Sequence, residues 1–134
     1  MNIIQKKLKK KLNLKFSFLD EFFKIQSFNL LDVGAGNHSA SRTKEVFSNC
    51  NYYGLDICKK YENNDSDFAM MNDFYEIDLM ALDYSTIPDN FFDAIIMAHV
   101  IEHLDNGDLV VPLLLQKLKV GGVFYIEYPG KRSL

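Results

Sequence analysis

Apolar positions recur at helical spacing at the start of the chain. Ile4, Leu8 and Leu12 form one stripe and lysines fill the other faces, which predicts an amphipathic helix over residues 3–13. Phe16, Leu19, Phe22, Phe23 and Ile25 carry the pattern into a second short helix or a prolonged first one. Beyond them the period changes. Short apolar runs ending in acidic, glycine or proline positions predict strands at residues 28–33, 51–55, 74–77, 92–97 and 123–127. The run Ala94-Ile95-Ile96-Met97 shows no polar alternation, as suits a strand covered on both faces.

The stretches between these strands read as helices and loops. Ser39 or Ser41 can cap a helix over residues 41–48 that ends near Asn49. Residues 58–73, centred on Asn63-Asn64-Asp65-Ser66-Asp67, predict a polar loop with one helical turn. Residues 100–104 open another turn, and a longer helix is expected over 109–118, with Pro112 in its first turn and Gly121-Gly122 ending it. Pro129-Gly130 stop the last strand. This alternation predicts an α/β fold, a Rossmann-like doubly wound parallel sheet with right-handed crossovers. Ligands on such sheets sit at the carboxyl ends of the strands, and Asp32, Gly34, Asp56, Asp78 and His99 all fall there.

The segment Leu30-Leu31-Asp32-Val33-Gly34-Ala35-Gly36 carries the most chemistry. Glycines one residue apart let the backbone turn sharply after a strand and come close to a ligand. A second apolar run, Tyr52-Tyr53-Gly54-Leu55, ends in Asp56, at the distance where a ribose-binding acid follows a glycine turn in a βαβ unit. Together they predict an adenosine-containing cofactor.

Composition narrows the setting. The chain of 134 residues suits one domain, and 48% hydrophobic with 25% charged residues is ordinary for a soluble globular protein. A net charge of −3 gives no strong nucleic-acid signal, although Lys6, Lys7, Lys9, Lys10, Lys11 and Lys15 crowd the N-terminus, where they read as a solvated helix face. Cys50 and Cys58 match no metal or redox spacing, which predicts free thiols and a cytoplasmic protein. No apolar run is long enough for a transmembrane segment, and no apolar signal core follows the lysines.

The ordered motifs resemble those of class I S-adenosylmethionine (SAM) dependent methyltransferases. They are Leu31-Asp32-Val33-Gly34-Ala35-Gly36, Asp56, Asp78-Leu79, Pro88-Asp89-Asn90-Phe91-Phe92-Asp93-Ala94-Ile95-Ile96, His99-Val100-Ile101-Glu102-His103-Leu104 and Lys117-Leu118-Lys119-Val120-Gly121-Gly122. The resemblance covers about residues 28–130 and implies a five-stranded sheet of order 3-2-1-4-5. It divides the chain into an N-terminal helical segment, 1–27, and a SAM-binding domain, 28–134.

Site roles follow from the same resemblance. Asp32 would help hold the methionine ammonium, and the backbone at Gly34, Ala35 and Gly36 would pack against the amino-acid and ribose part. Asp56, with Ile57 beside it, would accept from the ribose hydroxyls, and Asp78 with the Leu79 N–H would bracket adenine. His99 would face both cofactor and acceptor and is the candidate general base. At helical spacing His99, Glu102 and His103 would share one face and could form a three-point metal site. The plainer expectation is no metal, with Glu102 and His103 bonding the helix start and a neighbouring loop.

A dinucleotide-binding fold is the nearest rival. It usually carries a third glycine where this chain has Asn37-His38-Ser39, and Asp32 would repel its diphosphate, whereas SAM offers a cationic amine. The family's domain ordinarily continues into strands six and seven, expected to be lacking here. The apolar edge at 123–126 then invites self-association or pairing with a partner. The expected function is methyl transfer from SAM, with S-adenosylhomocysteine (SAH) as product, to a small-molecule or glycan-type acceptor. The alternatives are a non-catalytic SAM-binding or scaffold subunit and, more distantly, an NAD-dependent oxidoreductase.

Overall fold

The computed structural model describes residues 1–129. In chain order the elements are α1 (Ile3–Leu12), α2 (Leu14–Phe23), β1 (Phe28–Val33), α3 (Ser39–Val46), β2 (Cys50–Asp56), α4 (Asp65–Ala69), β3 (Asp73–Glu76), β4 (Phe92–Ala98), α5 (Gly107–Leu115) and β5 (Leu118–Glu127). Single 3-10 turns lie at Leu79–Ala81 and Ile101–His103. The five strands form one parallel sheet in the order β3-β2-β1-β4-β5, as the sequence predicts. Among the described residues no helix is long and apolar enough to cross a membrane.

Successive side chains of a strand face opposite ways, and here both faces are covered. On one face Leu30, Tyr52, Ala94 and Ile96 pack with Phe16 and Leu19 of α2 and Ala40 and Val46 of α3. On the other, Leu31, Val33, Leu55, Ile95 and Met97 pack with Tyr84, Ile87 and with Val110 and Leu114 of α5. The absence of polar alternation in β4 thus has its cause in burial from two sides.

Several boundaries differ from expectation. The N-terminal pattern breaks into two helices at Asn13, whose side chain accepts from the Phe16 N–H and caps α2. Neither Ser39 nor Ser41 caps α3. The cap position falls on His38, in the left-handed region at φ 57° with no side-chain cap bond, and both serine hydroxyls are drawn to carboxylates instead.

Gly121-Gly122 do not end a helix either. α5 stops at Leu115, and the glycines lie inside β5, where the register with β4 jumps from Phe92↔Leu118 to Ala94↔Val123. Gly121 has φ +83°, a conformation that favours glycine, and a Cβ on Gly122 would lie 2.9 Å from the Lys119 carbonyl oxygen, so the bulge asks for backbone freedom at the first glycine and for room at the second. Just past the end of α5, the buried ammonium of Lys117 donates to the Ile87 carbonyl at 3.0 Å and to Asp89 at 2.7 Å. Pro129 follows β5, and the Gly130 part of the expected stop lies outside the described residues.

Candidate functional site

A cavity of about 480 Å³ opens at the carboxyl ends of the central strands. Of the sequence-predicted residues, Gly34, Gly36, Asp56, Ile57, Asp78, Leu79 and His99 line it. Asp32 and Ala35 do not. Both are buried, Ala35 within the glycine turn and Asp32 just before it.

The turn itself is dictated by packing. Gly34 has φ +84°, and a Cβ there would stand 2.6 Å from Cγ2 of Val100. The N–H groups of Gly34 and Ala35 both donate to the Leu55 carbonyl, at 2.8 and 3.2 Å, tying the turn to β2. Asn37 and His38 then take consecutive left-handed conformations, φ 56° and 57°, so that α3 starts without the third glycine of a dinucleotide fold.

Asp32 sits under this turn with its Oδ2 doubly engaged. Ser39 Oγ donates to it at 2.5 Å, and the Tyr52 hydroxyl donates to the same oxygen. Burial first, and the Asp32 charge second, push the Tyr52 phenol well above its usual range. The hydroxyl therefore stays protonated and keeps donating.

Asp56 accepts from the Ile57 N–H at 2.8 Å, and its carbonyl accepts from Ile77 N–H at 3.0 Å. Asp78 accepts from Met80 N–H at 3.0 Å and caps the turn that carries Leu79. Tyr84 donates to the Leu79 carbonyl at 2.7 Å from beneath, and burial pushes its phenol up to about 12.

Sequence reasoning left one wall of the cavity as loop. Tyr61 and Glu62 line it, clasped to the glycine turn by His38 N–H donating to the Glu62 carbonyl at 3.1 Å and Asn63 Nδ2 donating to the Ala35 carbonyl at 3.1 Å. The available signal was the pair Asn64 and Asp67, which form a capping box that starts α4. Asp67 is buried, accepting from Ser41 Oγ at 2.5 Å and pairing with His38 Nδ1 at 2.7 Å. Burial works against its charge, yet these donors and the Asn64 N–H hold its carboxyl below the usual range.

His99 leaves the end of β4 in the left-handed region at φ 57° and so stands outside the turn that holds Glu102 and His103. The shared helical face required for a three-point site therefore does not form. Its N–H donates to the Glu127 carbonyl at 2.7 Å, and its Nε2 lies 2.6 Å from Glu127 Oε2. His99 and Ala98 also line a second cavity of about 380 Å³, bounded by Asn13, Leu14, Lys15 and Glu127.

The residues present fit SAM. Asp56, Glu62 and Asp78 line the larger cavity and, among the described residues, no lysine or arginine does, while Ile57, Ile77, Leu79 and Met80 supply apolar surface. An acidic lining attracts a sulfonium and repels a diphosphate. Its volume lies within the ~300–1,000 Å³ usual for ligand sites.

Fold and site together define a Rossmann-like domain with an acid-lined cavity at its strand ends. The model of the family described as methyltransferase domain matches residues 31–126, and the chain belongs to that family, the class I SAM-dependent methyltransferases. No curated protein matches the chain.

Solved structures share the fold at low identity. A protein assigned as an S-adenosyl-L-methionine-dependent methyltransferase from Methanococcus maripaludis superposes with TM-score 0.67 at 20% identity, over 91% of this chain and 59% of that one. Coclaurine N-methyltransferase, bound to N-methylheliamine and SAH, gives 0.66 at 19%, over 84% and 34%. Phosphoethanolamine N-methyltransferase 2 of Haemonchus contortus, in complex with phosphomonomethylethanolamine and SAH, gives 0.65 at 20%, over 83% and 27%. The chain thus spans less than two thirds of the length of these structures.

Proposed function

We propose that this chain binds SAM in the larger cavity and directs its methyl group to a small-molecule or glycan-type acceptor entering from the second cavity. The observation that carries the reading is the cavity at the strand ends, lined by Asp56, Glu62 and Asp78 and by no lysine or arginine among the described residues. When bound, SAM supplies an electrophilic methyl group on a sulfonium, so the protein's task is alignment and exclusion of water.

Asp56 is offered to the ribose hydroxyls, and Asp78 with Leu79 to adenine. Asp32, held by Ser39 and Tyr52 under the turn, supplies negative charge toward the methionine end. His99, shared by both cavities, takes a proton from the acceptor. In this reading residues 1–27 and the cofactor domain, 28–134, work as one unit, supported by the burial of Phe16 and Leu19 in the sheet's core.

Titration calorimetry of the 134-residue chain with SAH, and with NADH as control, tests the proposal. Micromolar binding of SAH alone is the expected result. NADH binding in its place, or no SAH binding by a chain shown to be folded, overturns it.

A further inference from the structure

We propose that Glu127 is a positioning residue for His99: held by Tyr125, it keeps the proton of the neutral imidazole on Nε2 and leaves Nδ1 to take the acceptor's proton. The proposal rests on the reading of His99 given above and adds the group that orients it.

Strands β4 and β5 end side by side, with Ala98 opposite Glu127, so the next residue of β4 meets the end of β5. There His99 is tied twice to one partner. Its N–H donates to the Glu127 carbonyl at 2.7 Å, and the Glu127 carboxylate Oε2 lies 2.6 Å from its Nε2. The other oxygen, Oε1, accepts from the Tyr125 hydroxyl at 2.5 Å. Tyr125 and Glu127 stand two residues apart and so project from the same face of β5. The Tyr125 ring packs on Phe18 of α2 with centroids 5.1 Å apart, which anchors the chain Tyr125–Glu127–His99 to the helical layer.

Burial above all, with the Glu127 contact, keeps the Tyr125 phenol well above its usual range and hence a donor. A left-handed backbone at a non-glycine residue costs free energy, and His99 in that conformation donates its backbone N–H to Glu127.

The two ring nitrogens then differ. A carboxylate beside one nitrogen favours the tautomer with hydrogen on that nitrogen, and the lone pair falls to the other. Nδ1 is 3.9 Å from Glu102 Oε1, beyond hydrogen-bond reach, and the side chain is 57% exposed. Among the described residues, the charged and titratable groups around the ring are Glu127 and Tyr125 from β5, Glu102 and His103 from the adjoining turn, and Lys15 of α2 across the second cavity.

The acceptor class is protic, a hydroxyl or an ammonium. Its O–H or N–H proton passes to Nδ1, and the freed electron pair bonds the methyl carbon. The carbon–sulfur pair stays with sulfur as a thioether. The resulting imidazolium is stabilised by the Glu127 carboxylate at its other nitrogen.

The test is the tautomer of His99, read by long-range proton–nitrogen NMR on the full chain at a pH where imidazoles are neutral, with His38→Asn and His103→Asn variants for assignment. Wild type is expected to show mainly the Nε2–H form. Glu127→Gln, which can turn its amide N–H toward the ring, should lower the ratio of Nε2–H to Nδ1–H by ~5-fold or more, the scale of one lost hydrogen bond. Tyr125→Phe should shift it in the same direction by less, and it carries the test should Glu127→Gln fail to fold. An Nδ1–H tautomer in wild type, or a ratio unmoved by both variants, overturns the proposal. The measurement needs no cofactor, so failure to bind SAH counts against the function proposed above, and an unmoved tautomer counts against Glu127.

Discussion

The phenol of Tyr52 on β2 reaches across the strand pair to the carboxylate of Asp32 on β1, and both residues are buried. Ser39, the first residue of α3, donates to the same carboxylate oxygen. One charge thus joins two strands and a helix directly below the glycine turn. Tyr52→Phe keeps the ring's packing and removes one of the two donors. We expect a loss of ~1–3 kcal/mol in unfolding free energy, read as a lower urea midpoint with unchanged slope. A variant as stable as wild type would mean that Ser39 alone satisfies Asp32.

Alkaline pH should destabilise the fold through these same buried acids. Burial raises the Cys50 thiol from an ordinary 9.0 to about 12 and the Tyr84 phenol from 10.0 to about 12, and Tyr52 is raised as well. The folded state therefore holds protons that the unfolded chain releases. Their contribution is fully present below about pH 9 and declines as pH climbs through the raised values. Urea midpoints measured across that range should fall, and Tyr52→Phe should flatten the upper part of the decline. A level profile would contradict the burial of these groups.

Gly34→Ala adds two costs, a left-handed backbone at φ +84° and a Cβ 2.6 Å from Val100. Gly121→Ala adds only the first, since φ is +83° and nothing lies within 4 Å of the added carbon. Gly121→Ala should cost ~1–2 kcal/mol, the usual penalty for that conformation. Gly34→Ala should cost more and should weaken SAH binding too, because Val100 or the turn must move. Equal destabilisation of the two variants would mean that the Val100 contact adds no cost.

Asp67 gives the opposite pH dependence. Its carboxyl is held below the usual range by Ser41, His38 and Asn64, despite burial that works the other way. A depressed carboxyl stabilises the fold above its unfolded value of ~3.9 and loses that contribution as pH falls through the folded value. Asp67→Asn should cost ~1–3 kcal/mol at neutral pH and make the acid decline shallower, as measured by urea midpoints at neutral and acid pH. An acid decline as steep as wild type's would assign it to other carboxylates.

Asp56→Ala should weaken SAH binding by ~1–3 kcal/mol through lost hydrogen bonds to the ribose, with the fold retained. Calorimetry decides it: undiminished affinity would take Asp56 out of the site.

Local periodicity made much of this molecule legible. Apolar runs in residues 28–33 and 92–97 are strands because both faces are covered, and burial on two sides leaves a mark in every residue of the run. The spacing from Gly36 to Asp56 was readable because one βαβ unit brings both to the same end of the sheet. Gly121-Gly122 misled for a physical reason: glycines end helices and also relax bulges, and only the partner strand's register tells which.

The sequence by itself determined the parallel strands, the glycine turn and the acids at the strand ends, since these follow from chain-local patterns and right-handed crossovers, and the strand order followed from the family resemblance. The tertiary structure alone decided how the polar groups pair. Ser39 and Ser41 bond carboxylates rather than capping α3, Asp32 is buried beneath the cavity rather than lining it, and Glu127 meets His99. Each pairing joins residues from different elements. Which hydroxyl meets which carboxylate depends on where the packed elements end, and no period along the chain encodes that position.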